Sequence, residues 1–120
     1  MTPEGQVQRD IQNYLKSLED NGTIFQDKRQ AGGFSYKKGI PDIYFVYKGY
    51  HVECEVKTKN GHLSTMQEKF QERCERQFNM LYLCPRSVQD VKDFLSLIDE
   101  FLPDVSNQIS VIQNAYKNRL

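Results

Sequence analysis

Gly39-Ile40-Pro41-Asp42-Ile43-Tyr44-Phe45-Val46-Tyr47-Lys48-Gly49-Tyr50-His51-Val52-Glu53-Cys54-Glu55-Val56-Lys57 is the stretch on which the fold turns. Residues 42–47 and 50–57 are rich in β-branched and aromatic side chains, and only Lys48-Gly49 separates them. That arrangement predicts a β-hairpin with a two-residue turn. In this register Tyr47 faces Tyr50, and counting outward sets Asp42 opposite Glu55. Facing side chains on one sheet surface have Cβ atoms roughly 4.5–5.5 Å apart. Alternation sorts the two surfaces. Ile43, Phe45, Val52, Cys54 and Val56 make an apolar face, while Asp42, Tyr44, Val46, His51, Glu53, Glu55 and Lys57 share the other.

Two opposed carboxylates repel and add nothing to a sheet. A hard cation with oxygen ligands resolves the conflict, and Mg²⁺ or Mn²⁺ suits one or two carboxylates completed by water and a substrate phosphate. Lys57 stands two residues beyond Glu55 on the same face, within reach of a phosphate or an attacking water. Asp42, Glu55 and Lys57 are therefore candidate residues for metal-assisted cleavage of a phosphodiester. The competing reading is a plain solvated sheet face with incidental charges. Glu53 lies on the same face opposite Tyr44, outside the expected metal shell. His51 and His62 read as surface residues, because a hard cation prefers oxygen.

Outward from the hairpin, the order of elements follows from periodicity. Thr2 caps and Pro3 opens a helix over 3–20, with Val7, Ile11, Tyr14, Leu15 and Leu18 on its inner face. Asn21-Gly22 ends it. Residues 23–29 suggest a first strand, and 31–39 form a glycine-rich, basic connection. After the hairpin and a loop over 58–63, a second helix is expected over 65–79 with Met66, Phe70, Cys74 and Phe78 on one face. Met80-Leu81-Tyr82-Leu83-Cys84 reads as a buried strand. Ser87 caps a third helix with Val88, Val91, Phe94, Leu95, Ile98 and Phe101 facing inward, ended by Pro103. Residues 105–120 suggest a last helix with Ile109, Ile112 and Tyr116 on a stripe. The order is α-β-β-β-α-β-α with a mixed sheet.

The composition narrows the field. At 120 residues, 38% hydrophobic and 12% aromatic, the chain suits one globular domain over 1–120. No apolar run is long enough to cross a membrane, and no leader pattern stands at the start, so a cytoplasmic protein is expected. Cys54, Cys74 and Cys84 are odd in number and widely spaced, which supports neither zinc nor a disulfide framework. Cys54 and Cys84 read as buried thiols. The net charge is zero, which argues against a general polyanion binder. The distribution is uneven, however. Residues 28–59 carry seven basic against three acidic side chains, and residues 87–120 carry three against five. The positive excess surrounds the hairpin, as a phosphate backbone would require.

Gly39-Ile40-Pro41-Asp42, Glu55-Val56-Lys57, Gly61-His62-Leu63-Ser64 and Gln67 together resemble the VRR-NUC branch of the PD-(D/E)xK nuclease superfamily, over roughly residues 3–95. The resemblance implies a restriction-endonuclease-like αβββαβ core, α/β in class, with a mixed sheet flanked by helices and an extra C-terminal helix. It implies a Mg²⁺- or Mn²⁺-dependent endonuclease acting on DNA. By resemblance Asp42 and Glu55 are metal ligands, joined by the Val56 carbonyl and Glu4. Lys57 orients or activates the attacking water, and Gln67 belongs to the catalytic set. Lys37, Lys38, Lys59 and Arg86 would meet nucleic acid. Only Arg86 stands for the Val-Arg-Arg-like signature, within Leu83-Cys84-Pro85-Arg86-Ser87. Small standalone members resemble phage or prophage proteins and act as dimers on branched DNA such as four-way junctions. Residues 105–120 are the expected dimer element, and neither a membrane nor a small-molecule substrate is implied.

Local chemistry offers plainer roles for some of these residues. Ser64-x-x-Gln67 is a capping box in its own right. Glu4 in the first turn favours the helix dipole. Tyr36, Lys37 and Lys38 read equally as a solvated loop. Two other functions stand beside the nuclease: a catalytically inactive module that holds nucleic acid in a phage replication or recombination complex, and a small protein-interaction domain that docks through its acidic C-terminal helices.

Overall fold

A computed structural model describes residues 2–29 and 39–119. Tyr36, Lys37, Lys38 and most of the expected glycine-rich connection lie outside the described residues. Helix α1 (Pro3–Asp20) leads into strand β1 (Phe25–Lys28). The hairpin β2 (Ile43–Tyr47) and β3 (Tyr50–Cys54) follows, then α2 (Thr65–Arg73) with a π-helical turn at Cys74–Phe78. Strand β4 (Leu81–Leu83), α3 (Val88–Phe101) and α4 (Ser106–Asn118) complete the order.

The four strands lie side by side in chain order, antiparallel from β1 to β3 and parallel between β3 and β4. The sheet is mixed, as the alternation of elements requires. Tyr47 pairs with Tyr50 and Ile43 with Cys54, so the hairpin has the register expected from its two-residue turn. Lys48 and Gly49 both adopt positive φ, 51° and 88°, the requirement of a type I′ turn. A side chain at 49 would also strike Val105 Cγ2 at 2.3 Å, where the segment leading into α4 crosses the turn.

Ile43, Phe45, Val52, Cys54 and Val56 are buried with Ile11 and Leu15 of α1 and Val91, Leu95 and Ile98 of α3. The core thus lies between the apolar sheet face and these two helices. Full burial of each aliphatic side chain is worth about 1.5–3 kcal/mol. Thr2 Oγ1 accepts from the Gly5 amide at 3.0 Å, and Ser87 Oγ from the Asp90 amide at 3.2 Å. Each such cap contributes about 1 kcal/mol.

Several expectations need correction. The hairpin strands stop at Ile43 and Cys54, so Asp42 and Glu55–Lys57 fall just outside them. The chain still runs beside β4, because the Glu55 amide donates to the Leu83 carbonyl (2.9 Å) and the Lys57 amide to the Pro85 carbonyl (3.2 Å). Pro85 has no N–H to return to the third strand, and the ladder ends there. The second helix is not one uniform helix. Its wider π-helical turn rotates Phe78 off the stripe that holds Cys74. Cys74 is buried, whereas Met66 and Phe78 are exposed. Phe101 is 71% exposed rather than inward-facing. It lines an open apolar cleft of about 340 Å³ with Leu81, Phe94, Leu97, Ile98 and Leu102. Cys84 is half-buried rather than buried. Helix α4 forms as expected but has no buried residue, and Ile109, Ile112 and Tyr116 are all exposed.

Candidate metal and nucleic-acid site

The Gly39-Ile40-Pro41-Asp42 turn enters β2 against the start of α2. Gly39 has φ 85°, and a Cβ there would lie 2.4 Å from the Met66 carbonyl oxygen. Only glycine satisfies both the left-handed backbone and the close approach. The turn therefore seats Asp42 while packing on the helix that carries Gln67. Beyond the end of β3, Glu55 and Lys57 are held by main-chain hydrogen bonds to Leu83 and Pro85. Amides at 55 and 57 point toward β4. Backbone alternation then turns the Val56 carbonyl the other way, toward the Asp42 side.

Glu4 and Gln8 of α1 line one small cleft together with Asp42, Glu55 and Val56. Its free volume is about 50 Å³, room for one or two water-sized groups. Burial pushes the Glu55 carboxyl up to about 7. The Lys57 ammonium pulls it down, the Asp42 and Glu4 charges push it further up, and the Gln67 hydrogen bond pulls it down. The four residues therefore act on one carboxyl group.

Gln67 serves two purposes at once. Its Oε1 accepts from the Ser64 amide at 2.8 Å and its amide donates to Ser64 Oγ at 3.2 Å, closing the capping box. Its Nε2 donates to Glu55 Oε1 at 3.1 Å. The cap and the contact with Glu55 are two ends of one carboxamide, so neither excludes the other.

The donor set suits a hard divalent cation. Carboxylates of Glu4, Asp42 and Glu55 and the Val56 carbonyl supply oxygen, and mutual repulsion already burdens Glu55. Among the described residues, no three His, Cys, Asp or Glu side chains converge closely enough to form a ready-made metal cage. That is compatible with Mg²⁺ or Mn²⁺, which take one or two carboxylates and leave other positions to water and substrate.

Of the expected nucleic-acid residues, Lys59 and Arg86 fall among the described ones. Arg86 Nη1 donates to the carbonyls of Thr58 and Gly61, the latter at 2.7 Å. It clamps the loop after Lys57, and its guanidinium is engaged with backbone oxygen. Lys59 lies in that loop, exposed. Lys69, Arg73 and Arg76 line a shallow groove on α2 and its π-helical turn that the sequence reading did not single out.

Sequence reasoning also missed the company kept by Glu53. That residue is only 1% exposed. Arg29 grips it with both terminal nitrogens, at 2.5 and 2.7 Å, and His51 Nε2 contacts its Oε2. No local signal marks it, because pairing across 24 residues cannot be read from periodicity. Tyr82, paired with Glu53 across β3 and β4, carries a buried hydroxyl without a hydrogen-bond partner among the described residues.

No protein-family model matches the sequence, and no curated protein matches it. A solved VRR-NUC domain does match in structure, with a TM-score of 0.61 over 86% of this chain and 100% of its own length, at 21% identity. The likeness establishes the fold. Among the described residues, no helix is long and apolar enough to cross a membrane.

Proposed function

We propose that this chain, which has the nuclease-type fold of a VRR-NUC domain, is a Mg²⁺- or Mn²⁺-dependent endonuclease that hydrolyses DNA phosphodiesters. The observation that carries the reading is that Glu4, Asp42 and Glu55 line one cleft, where Lys57 and Gln67 also act on the half-buried Glu55 carboxyl. Asp42, Glu55, the Val56 carbonyl and Glu4 would hold the cation. A divalent cation there lowers the pKa of water and offsets the charge that develops on the phosphoryl oxygens. Lys57 sets a positive charge beside the attacking water or the scissile phosphate. Gln67 holds the Glu55 carboxyl in one orientation, so that less ordering remains to be done when the substrate arrives. Lys37, Lys38 and Lys59 belong to the basic segment that would meet the phosphate backbone.

Helix α4 supports a further part of this reading. No α4 residue is buried among the described residues, and Val111, Ile112 and Tyr116 are each exposed. A second copy would cover them and set two active sites about a two-fold axis, as paired cuts in a four-way junction require.

The test is cleavage of labelled single-stranded, duplex, flap and four-way-junction DNA with Mg²⁺, Mn²⁺ or EDTA, comparing wild type with Lys57→Ala. Metal-dependent cutting that disappears in the variant, with DNA binding retained, supports the nuclease. Tight binding with no cutting on any substrate would favour the inactive binding module.

A further inference from the structure

Beside the proposed metal site, Arg29 joins three segments that periodicity treats as separate. Its main-chain amide donates to the Asp42 carbonyl at 2.5 Å. Its Nη1 donates to the Pro41 carbonyl at 2.8 Å and to Glu53 Oε1 at 2.5 Å, and its Nη2 donates to Glu53 Oε2 at 2.7 Å. One residue thus grips the Pro41-Asp42 turn with its backbone and its guanidinium. The same guanidinium grips the third strand two residues before Glu55. His51 and Tyr44 close the cluster: His51 Nε2 contacts Glu53, the Tyr44 and His51 rings stack at 4.9 Å, and Arg29 lies 4.7 Å from the Tyr44 ring centre.

We infer that Arg29 and Glu53 are positioning residues that set the separation of Asp42 from Glu55 and so prepare the pair for a divalent cation; this rests on the metal reading above. Buried ion pairs are a poor source of stability, because desolvation offsets most of the attraction and apolar residues of similar size often replace them without loss. What an apolar pair cannot reproduce is the fork. A planar guanidinium satisfies both oxygens of Glu53 and the Pro41 carbonyl in one fixed geometry. Hydrogen bonds of this kind orient the ligands of a metal site from behind, and their loss typically costs about 10- to 100-fold in metal affinity or activity.

Two variants test the assignment. Arg29→Lys keeps the charge but loses the fork, and the double variant Arg29→Met/Glu53→Met removes the buried pair without stranding either charge. Mn²⁺ affinity is measured by calorimetric titration, with thermal unfolding in EDTA run alongside and Asp42→Ala as the ligand-loss control. The expected result is near-wild-type unfolding temperatures with Mn²⁺ affinity about 10-fold or more weaker in both variants. Where cutting is measured across a DNA concentration series, kcat falls and KM holds. Wild-type Mn²⁺ affinity in folded variants would overturn this inference alone. Absence of Mn²⁺ binding in the wild type would overturn the metal reading and the inference together. If the double variant fails to fold, the Arg29→Lys affinity ratio decides the matter.

Discussion

Replacing Glu55 with glutamine should raise the stability of the metal-free protein at pH 8. Burial, with the charges of Asp42 and Glu4, moves this carboxyl from an ordinary 4.5 to about 7. Between those two values the folded state keeps a proton that the unfolded chain has released. The free energy of unfolding therefore falls as pH rises through that window. The stabilising contribution is complete below about 4.5 and gone above about 7. At about 1.4 kcal/mol per pH unit the gap is worth at most about 3 kcal/mol. Glu55 keeps some contact with solvent, and screening reduces this to about 1–2 kcal/mol. For a 120-residue chain that is a change of roughly 5 °C in unfolding temperature. Glutamine keeps an oxygen to accept the Gln67 Nε2 hydrogen bond, found at 3.1 Å for Glu55, so the substitution removes charge with little loss of contact. The assay is thermal unfolding from pH 5 to 8 in EDTA, repeated with Mn²⁺. Wild type should lose about 5 °C relative to Glu55→Gln across the range. Mn²⁺ should restore stability to wild type and leave the variant unchanged, with apparent affinity falling about tenfold per pH unit below 7 as protons compete for the carboxylate. A Glu55→Gln protein less stable than wild type at pH 8 in EDTA would refute the reasoning.

Gln67→Ala opens the capping box and removes the donor to Glu55. It should cost about 1 kcal/mol in urea unfolding and reduce cutting by more than that loss of folded protein explains. Gly39→Ala meets both an unfavourable φ and the Met66 carbonyl. It should destabilise by more than about 1 kcal/mol, and an unchanged urea midpoint would contradict the close approach. Ile112→Asp alters a side chain that is 66% exposed. It should leave the unfolding temperature of a monomer unchanged but dissociate a dimer built on α4, as read by light scattering across a concentration series. Arg86→Ala frees the carbonyls of Thr58 and Gly61 and should speed limited proteolysis within residues 58–63.

Much of the fold was legible because its signals are local. A two-residue turn sets the pairing of Tyr47 with Tyr50, and every later pair in the hairpin follows by counting. The caps at Thr2, Ser64 and Ser87 act within one helical turn of themselves. Errors arose where a neighbouring element decided. The expected stripe of Met66, Phe70, Cys74 and Phe78 assumed a uniform helix, and the π-helical turn shifted its phase. Phe101 obeys the helical period of α3, yet it meets an open cleft instead of a covering surface. The ladder between β3 and β4 was cut short by Pro85, whose missing amide affects a strand far away in sequence.

The sequence by itself determined which residues could share a face: Asp42, Glu53, Glu55 and Lys57 on one side, Ile43, Phe45, Val52, Cys54 and Val56 on the other. That follows from the period of two in an extended chain and from a turn too short to allow another register. Only the tertiary structure decided which of these acidic residues is paired with a cation and which faces the cleft. Glu53 and Glu55 are equivalent in pattern, yet Arg29 from the end of β1 grips the first. The second is left to Asp42, Glu4, Lys57 and Gln67. Burial and electrostatic coupling depend on distance in space, and three of the segments that meet around Glu55 lie far apart along the chain.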